Sequence, residues 1–185
     1  MFIQTQETPN PSTLKFIPGK VVLEDRTMQI SKKEQASVSP LAVKLFDIDG
    51  VQSIFLGSDF ISITKQEDIS WDIIKHDILD IIMDHYVTEQ PILAEEKTIK
   101  EVDSSFNNAD PLVIQIKELI ETRVRPAVAQ DGGDIIFHSF ENGVVKLELH
   151  GACSGCPSST ITLKNGIENM LKYYVPEVES VEAVN

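Results

Sequence analysis

The sequence predicts a two-domain protein of mixed α and β structure. Residues 1–88 read as a small α/β domain, 89–110 as an acidic linker, and 111–185 as a helix-strand-strand-helix-strand domain. Three observations carry this. Short β-like runs in the first half are joined to helix-like periodicity. Between 89 and 110 the pattern breaks into Glu95, Glu96, Glu101 and Asp103 among small polar residues, with Phe106 the one aromatic. Asp110-Pro111 then opens a new unit, because Asp is a strong N-cap and Pro suits the first helical position.

In the first half, Phe2 to Thr5, Thr13 to Ile17 and Val21 to Leu23 are strand candidates. Pro40 to Phe46 is a helix candidate. Gln52 to Leu56 and Phe60 to Thr64 form a hairpin through Gly57-Ser58-Asp59. Trp71, Ile74, Ile78, Ile81/Ile82 and His85 recur at helical spacing, which predicts an amphipathic helix over 70–86 with Trp71 in the core. Strands with two helices give a layered α/β unit. The linker holds a short helical patch from Ala94 to Val102; as a flexible chain it would span on the order of 25 Å.

In the second half, Leu112, Ile116, Leu119/Ile120, Val124 and Val128 make a buried stripe, and Pro126 is expected to kink or end that helix. Asp131-Gly132-Gly133-Asp134 is a turn; two Asp around Gly-Gly signal a turn more often than a metal site. Ile135 to Phe140 and Val144 to Leu149 alternate as strands joined by Glu141-Asn142-Gly143. Pro157 opens a second helix with Thr160/Ile161, Lys164, Ile167, Leu171 and Tyr174 at helical spacing, and Glu179 to Val184 is a last strand.

Composition excludes whole classes of function. The net charge of -13 over 185 residues divides into -6 for residues 1–90, -3 for 91–110 and -4 for 111–185. No part is a basic patch, which argues against phosphate-neutralising binding to nucleic acid and against docking on an anionic membrane. No apolar run approaches the roughly 20 residues of a membrane-spanning helix. Two cysteines cannot build a disulfide scaffold. The first residues carry neither a secretory pattern nor an Arg-rich transit pattern. They read as a bacterial cytoplasmic protein, with a processed organellar protein of the mitochondrial matrix, given a new Met, as the alternative.

The chemistry concentrates in Gly151-Ala152-Cys153-Ser154-Gly155-Cys156-Pro157. Two thiols separated by two residues can face one centre from a tight turn. Pro157 starts a helix, whose positive end favours thiolate over thiol at Cys156. The expectation is a pair of low-pKa thiolates on a surface loop. The bland alternative is two small residues filling a corner of the core.

Three functions use such a pair. A thioredoxin-like dithiol enzyme needs several strands and helices after its motif, and only 29 residues follow Cys156. A structural zinc site needs four ligands, so a single chain would have to recruit His150 or His138. An iron–sulfur cluster usually takes four thiolates, so two chains must share it, two thiols each. A cluster on an exposed loop between two chains is easily released, which suits a scaffold or carrier. His76 and His85 form no ligand pair, and no nucleophile–base constellation or phosphate loop is present.

The motifs extend beyond the two thiols. Arg125-Pro126, Asp131-Gly132-Gly133-Asp134, Gly151 through Ser159, Thr162-Leu163-Lys164-Asn165-Gly166-Ile167-Glu168 and Val175-Pro176-Glu177-Val178 resemble the C-terminal domain of the Nfu and NifU family. Thr8-Pro9-Asn10-Pro11, Leu14-Lys15-Phe16 and Asp49-Gly50-Val51 resemble the Nfu N-terminal domain. The resemblance implies a non-enzymatic role in iron–sulfur cluster maturation, with Cys153 and Cys156 as cluster ligands. It implies a [4Fe–4S] cluster, or a [2Fe–2S] one, bridging a homodimer. The cluster would come from upstream assembly proteins and pass to apoproteins such as radical-SAM lipoyl synthase or aconitase-type enzymes. His150 maps to no family ligand.

Overall fold

The computed structural model describes residues 2–24, 26–94, 110–154 and 157–184. These residues fall in two compact units, Met1–Lys97 and Thr98–Asn185. The helical patch expected at 94–102 lies, apart from Ala94, outside the described residues.

The first unit is a five-stranded antiparallel sheet carrying two helices. Its strands are β1 (Gln4–Glu7), β2 (Thr13–Ile17), β3 (Met28–Ile30), β4 (Val51–Leu56) and β5 (Ile61–Lys65), in the order β1-β2-β5-β4-β3. β4 and β5 form the expected hairpin, with the Gly57 N–H donating to the Phe60 carbonyl at 2.9 Å. Helix α1 (Pro40–Phe46) starts at an N-cap, Ser39, whose Oγ accepts from the Ala42 N–H. Helix α2 (Trp71–Val87) buries Ile74, Ile78, Ile82 and His85, the stripe its spacing predicts. The three isoleucines join Leu14, Phe16, Ile54 and Ile63 from the sheet in one core. Trp71 packs at the rim of that core and donates from Nε1 to the Pro11 carbonyl at 3.1 Å.

One strand expectation fails. Val21 to Leu23 form no strand; the third strand is β3, at Met28–Ile30. Val22 and Leu23 are buried, but as a loop whose N–H groups donate to the carbonyls of Ser58 and Gly57. Alternating-looking apolar residues can be buried by a tied loop as well as by a strand. A short 3₁₀ turn at Lys33–Val38, which the sequence did not signal, precedes α1.

The second unit has the order helix, strand, strand, helix, strand. Asp110 caps α3 (Pro111–Leu119) by accepting the Leu112 N–H at 3.0 Å. Of the two outcomes expected at Pro126, a kink or an end, the helix does not take the second: it continues past the proline. A π turn at Ile120–Val124 absorbs the proline and α4 (Arg125–Gln130) continues. The Arg125 N–H reaches back five residues to the Ile120 carbonyl, since Pro126 has no N–H to keep the regular ladder. Ile116, Ile120, Val124 and Val128 stay on one buried stripe.

β6 (Gly133–Glu141) and β7 (Val144–Gly151) are antiparallel, turning through Asn142 and Gly143, both at positive φ. β7 leads through the cysteine loop into α5 (Pro157–Tyr174), which returns to β8 (Ser180–Val184) lying parallel to β7. The buried stripe of α5 is rotated from the one expected. Leu163, Ile167, Met170 and Leu171 pack inward, whereas Ile161 and Tyr174 are exposed. Glu168 on α5 accepts from the Val181 N–H of β8 at 3.1 Å and from the Lys172 ammonium at 2.7 Å, tying the crossover helix to its strand.

Candidate metal centre

The cysteine loop begins where the β6–β7 ladder ends. Gly133 pairs with Gly151 at the last rung. Gly151 turns the chain at φ 67, a conformation glycine adopts without the Cβ clash of other residues. The Ala152 N–H then donates to the Gly132 carbonyl at 3.1 Å, stitching the loop onto the Asp131–Asp134 turn. The Ser154 N–H and Oγ both donate to the Gly151 carbonyl, and the Thr160 Oγ1 donates to the Cys153 carbonyl at 3.1 Å. Cys153 is therefore held by β7, by the facing turn and by α5.

Its sulfur lies against Gly133. A Cβ at residue 133 would stand 2.8 Å from Cys153 Sγ and 2.6 Å from the His150 carbonyl oxygen. No side chain fits there, so glycine at 133 is a packing requirement of the cysteine. Cys153 is buried and belongs to the same apolar cluster as Ile135, Leu149 and Ile167.

This corrects the expected low-pKa thiolate at Cys153. Burial pushes its thiol up to about 12, and the charges of Asp131 and Asp134 push the same way. The sequence reading weighed the helix end and not the two carboxylates that the facing turn brings to the sulfur. The core-filling alternative is thus half right: Cys153 packs like an apolar residue while sitting at the head of the loop. Cys156 lies outside the described residues.

The turn is braced by charge. Arg125 forks onto Asp134, with Nε to Oδ1 and Nη2 to Oδ2 both at 2.8 Å, and Nη1 holds Glu121 at 2.9 Å. The Asp134 carboxylate, 5% exposed, also accepts from the Ile135 N–H at 2.8 Å. The sequence marked 131–134 only as a turn; the spacing of Arg125 and Asp134 gave no sign that they meet. His150 pairs through Nε2 with Glu148 at 2.8 Å rather than approaching as a ligand. Among the described residues no three His, Cys, Asp or Glu side chains converge to hold a metal ion. Of the two cysteines of the loop, the described one, Cys153, stands with no ligand trio around it. A thiol seated at the end of a braced hairpin, in a loop rich in glycine, marks a candidate binding module.

Comparison with known proteins agrees over both units. Residues 3–89 match the model described as scaffold protein Nfu/NifU N terminal, and residues 116–182 match the NifU-like domain. The human protein named NFU1 iron-sulfur cluster scaffold homolog, mitochondrial, is 54% identical over 185 residues, covering 100% of this chain and 72% of its own length. NifU-like protein 5, mitochondrial, of Arabidopsis thaliana is 51% identical, covering 98% of this chain and 67% of its own. A homologue from Drosophila persimilis, also named as a mitochondrial scaffold homolog, is 51% identical and is spanned over 65% of its length. The chain belongs to the Nfu family, whose relatives carry the name of iron–sulfur cluster scaffold proteins.

Proposed function

We propose that this chain is an iron–sulfur cluster scaffold or carrier, not an enzyme, and that Cys153 and Cys156 are its ligands. The cargo is a [4Fe–4S] cluster, with [2Fe–2S] the alternative, held between two protomers that each give two thiolates. Family membership supports the scaffold role. The observation that carries the site is the seating of Cys153: three elements fix it at the head of a loop, and no trio of other ligands converges there among the described residues. A half-site of this kind is completed by a second copy.

Delivery follows by ligand exchange. A thiolate of an apo acceptor forms a bond to iron as the bond to Cys153 or Cys156 breaks, one position at a time. Each step replaces one Fe–S bond by another, so little bond energy is lost. The first unit, which has no cysteine, recognises partners or restrains the dimer. The mitochondrial names of the relatives favour the matrix over a bacterial cytoplasm as the setting. A thiol–disulfide enzyme fits less well, because a buried thiol pushed up to about 12 is a poor attacking group.

The test is anaerobic reconstitution of the full chain with iron and sulfide. Cys153→Ala and Cys156→Ala are each expected to load neither while keeping the wild-type circular dichroism. A folded variant with full iron and sulfide content would overturn the assignment.

A further inference from the structure

The sequence starts a linker at residue 89, yet the chain that follows α2 turns back onto α1. Glu89 reverses it at φ 51. The Gln90 N–H donates to the His85 carbonyl at 3.2 Å, and the Ala94 N–H donates to the Val38 carbonyl at 2.9 Å. Ser39, whose Oγ caps α1, also donates from that hydroxyl to the Ile92 carbonyl. Ile92 and Leu93 pack half-buried on the core of the unit. Residues 90–94 thus form a strap, tied at its start to α2 and at its end to the residues that open α1.

His85 sits where the strap begins. Its ring is fully buried, and among the described residues neither ring nitrogen has a hydrogen-bond partner. The Tyr86 ring stands edge-on to it at 5.9 Å. Its carbonyl holds the strap through Gln90, and the Thr88 hydroxyl donates to the carbonyls of Asp84 and His85. One turn of helix therefore carries both the imidazole and the first bond of the strap. The charged groups acting on the ring are Lys44 of α1 and Asp84 of α2, which pair with each other at 3.1 Å. The strap itself, Gln90 to Ala94, brings no titratable side chain. Burial and Lys44 both oppose a charged imidazole, against a weaker pull from Asp84.

We propose that His85 is a proton-operated latch: on taking up a proton it turns out of the core, the last turn of α2 loosens, and the strap at 90–94 lifts from α1 while the sheet stays folded. A buried imidazolium without an acceptor is costly, and the same ring in water is not. Opening is therefore favoured as pH falls below the ordinary 6.5, and the strap stays closed above it. Lifting the strap uncovers two adjacent branched aliphatic side chains, Ile92 and Leu93, and the core surface beneath them. The latch involves neither cysteine, so it stands or falls apart from the cluster reading.

Residue-resolved amide hydrogen exchange of the full chain tests it, in wild type, His85→Leu and His76→Gln, the last an exposed histidine on the same helix. Opening is read from the Gln90 and Ala94 amides after correction for intrinsic exchange, with the Ile63 amide of the central strand β5 as reference. Both strap amides are expected to open far more readily than Ile63. From about pH 8 to about pH 5, their opening in wild type and His76→Gln should rise on the order of fivefold. His85→Leu should show no such rise. The His85 ring resonance of wild type, followed by NMR, should titrate with the midpoint of strap opening, which keeps the test decisive if His85→Leu does not fold. A strap that opens only together with Ile63, a rise that survives in His85→Leu, or a midpoint apart from that of the ring overturns the latch.

Discussion

One buried titratable side chain in each unit is held in an opposite way. In the second, the Asp134 carboxylate is buried with every oxygen used, by the Arg125 fork and by the Ile135 N–H. In the first, the His85 ring is buried on α2, and among the described residues neither ring nitrogen has a hydrogen-bond partner. A satisfied ion pair holds a loop in one geometry; an unsatisfied imidazole costs stability and leaves it dependent on pH. The braced arrangement stands under the cysteine loop, where geometry matters. The unbraced one stands in a unit with no thiol.

The largest way to break this contrast is Arg125→Ala. It strands a buried carboxylate, and because Arg125 is itself a third exposed, the cost should be about 2 kcal/mol rather than the larger loss of a fully buried pair. A urea titration of the second unit's unfolding checks it; an unchanged midpoint would show that the fork carries no stability. Next is Gly133→Ala. Its Cβ must displace either the Cys153 sulfur or the backbone at His150, for a loss of roughly 1–2 kcal/mol and an altered visible circular dichroism of the loaded protein. A variant with native stability and spectrum would show that the loop yields freely.

The smallest effect belongs to His85. Burial, then the charge of Lys44, lowers its pKa below the ordinary 6.5, against a weaker pull from Asp84. The unfolded chain takes up a proton near 6.5 that the folded unit resists. His85 therefore holds its full contribution above that pH and loses it as pH falls through the lowered folded value. The first unit's thermal midpoint should drop on acidification below about 6.5, and His85→Leu should flatten that part of the profile. An identical acid limb in the variant would remove His85 as its source.

Much of the architecture was legible in the sequence because it is local. The period of Ile74, Ile78 and Ile82 fixed α2, and Asp110 marked the start of α3. The Gly57 turn fixed the β4–β5 hairpin. What failed depends on contacts distant in sequence. Val22 and Leu23 are buried through bonds to residues 57 and 58, and no local pattern separates that from a strand. The three residues of β3 are too few to show an alternation. At Pro126 the expected irregularity takes the form of a π turn rather than an end, which keeps Ile116, Ile120, Val124 and Val128 aligned. At the site, the spacing and glycines of the loop pointed to Cys153, which the structure seats at the loop's head. The high pKa of Cys153 was hidden because its first cause is burial in a core built from β6, β7 and α5, and its lesser causes, the charges of Asp131 and Asp134, come from a turn that faces the loop only when β6 pairs with β7.

The central claim is that one chain supplies half a site. Native mass spectrometry of the anaerobically reconstituted protein tests it most directly, because it reads chains and cluster together. The expected species is two chains carrying one cluster, absent from Cys153→Ala and from Cys156→Ala. A single chain carrying a complete cluster would contradict it.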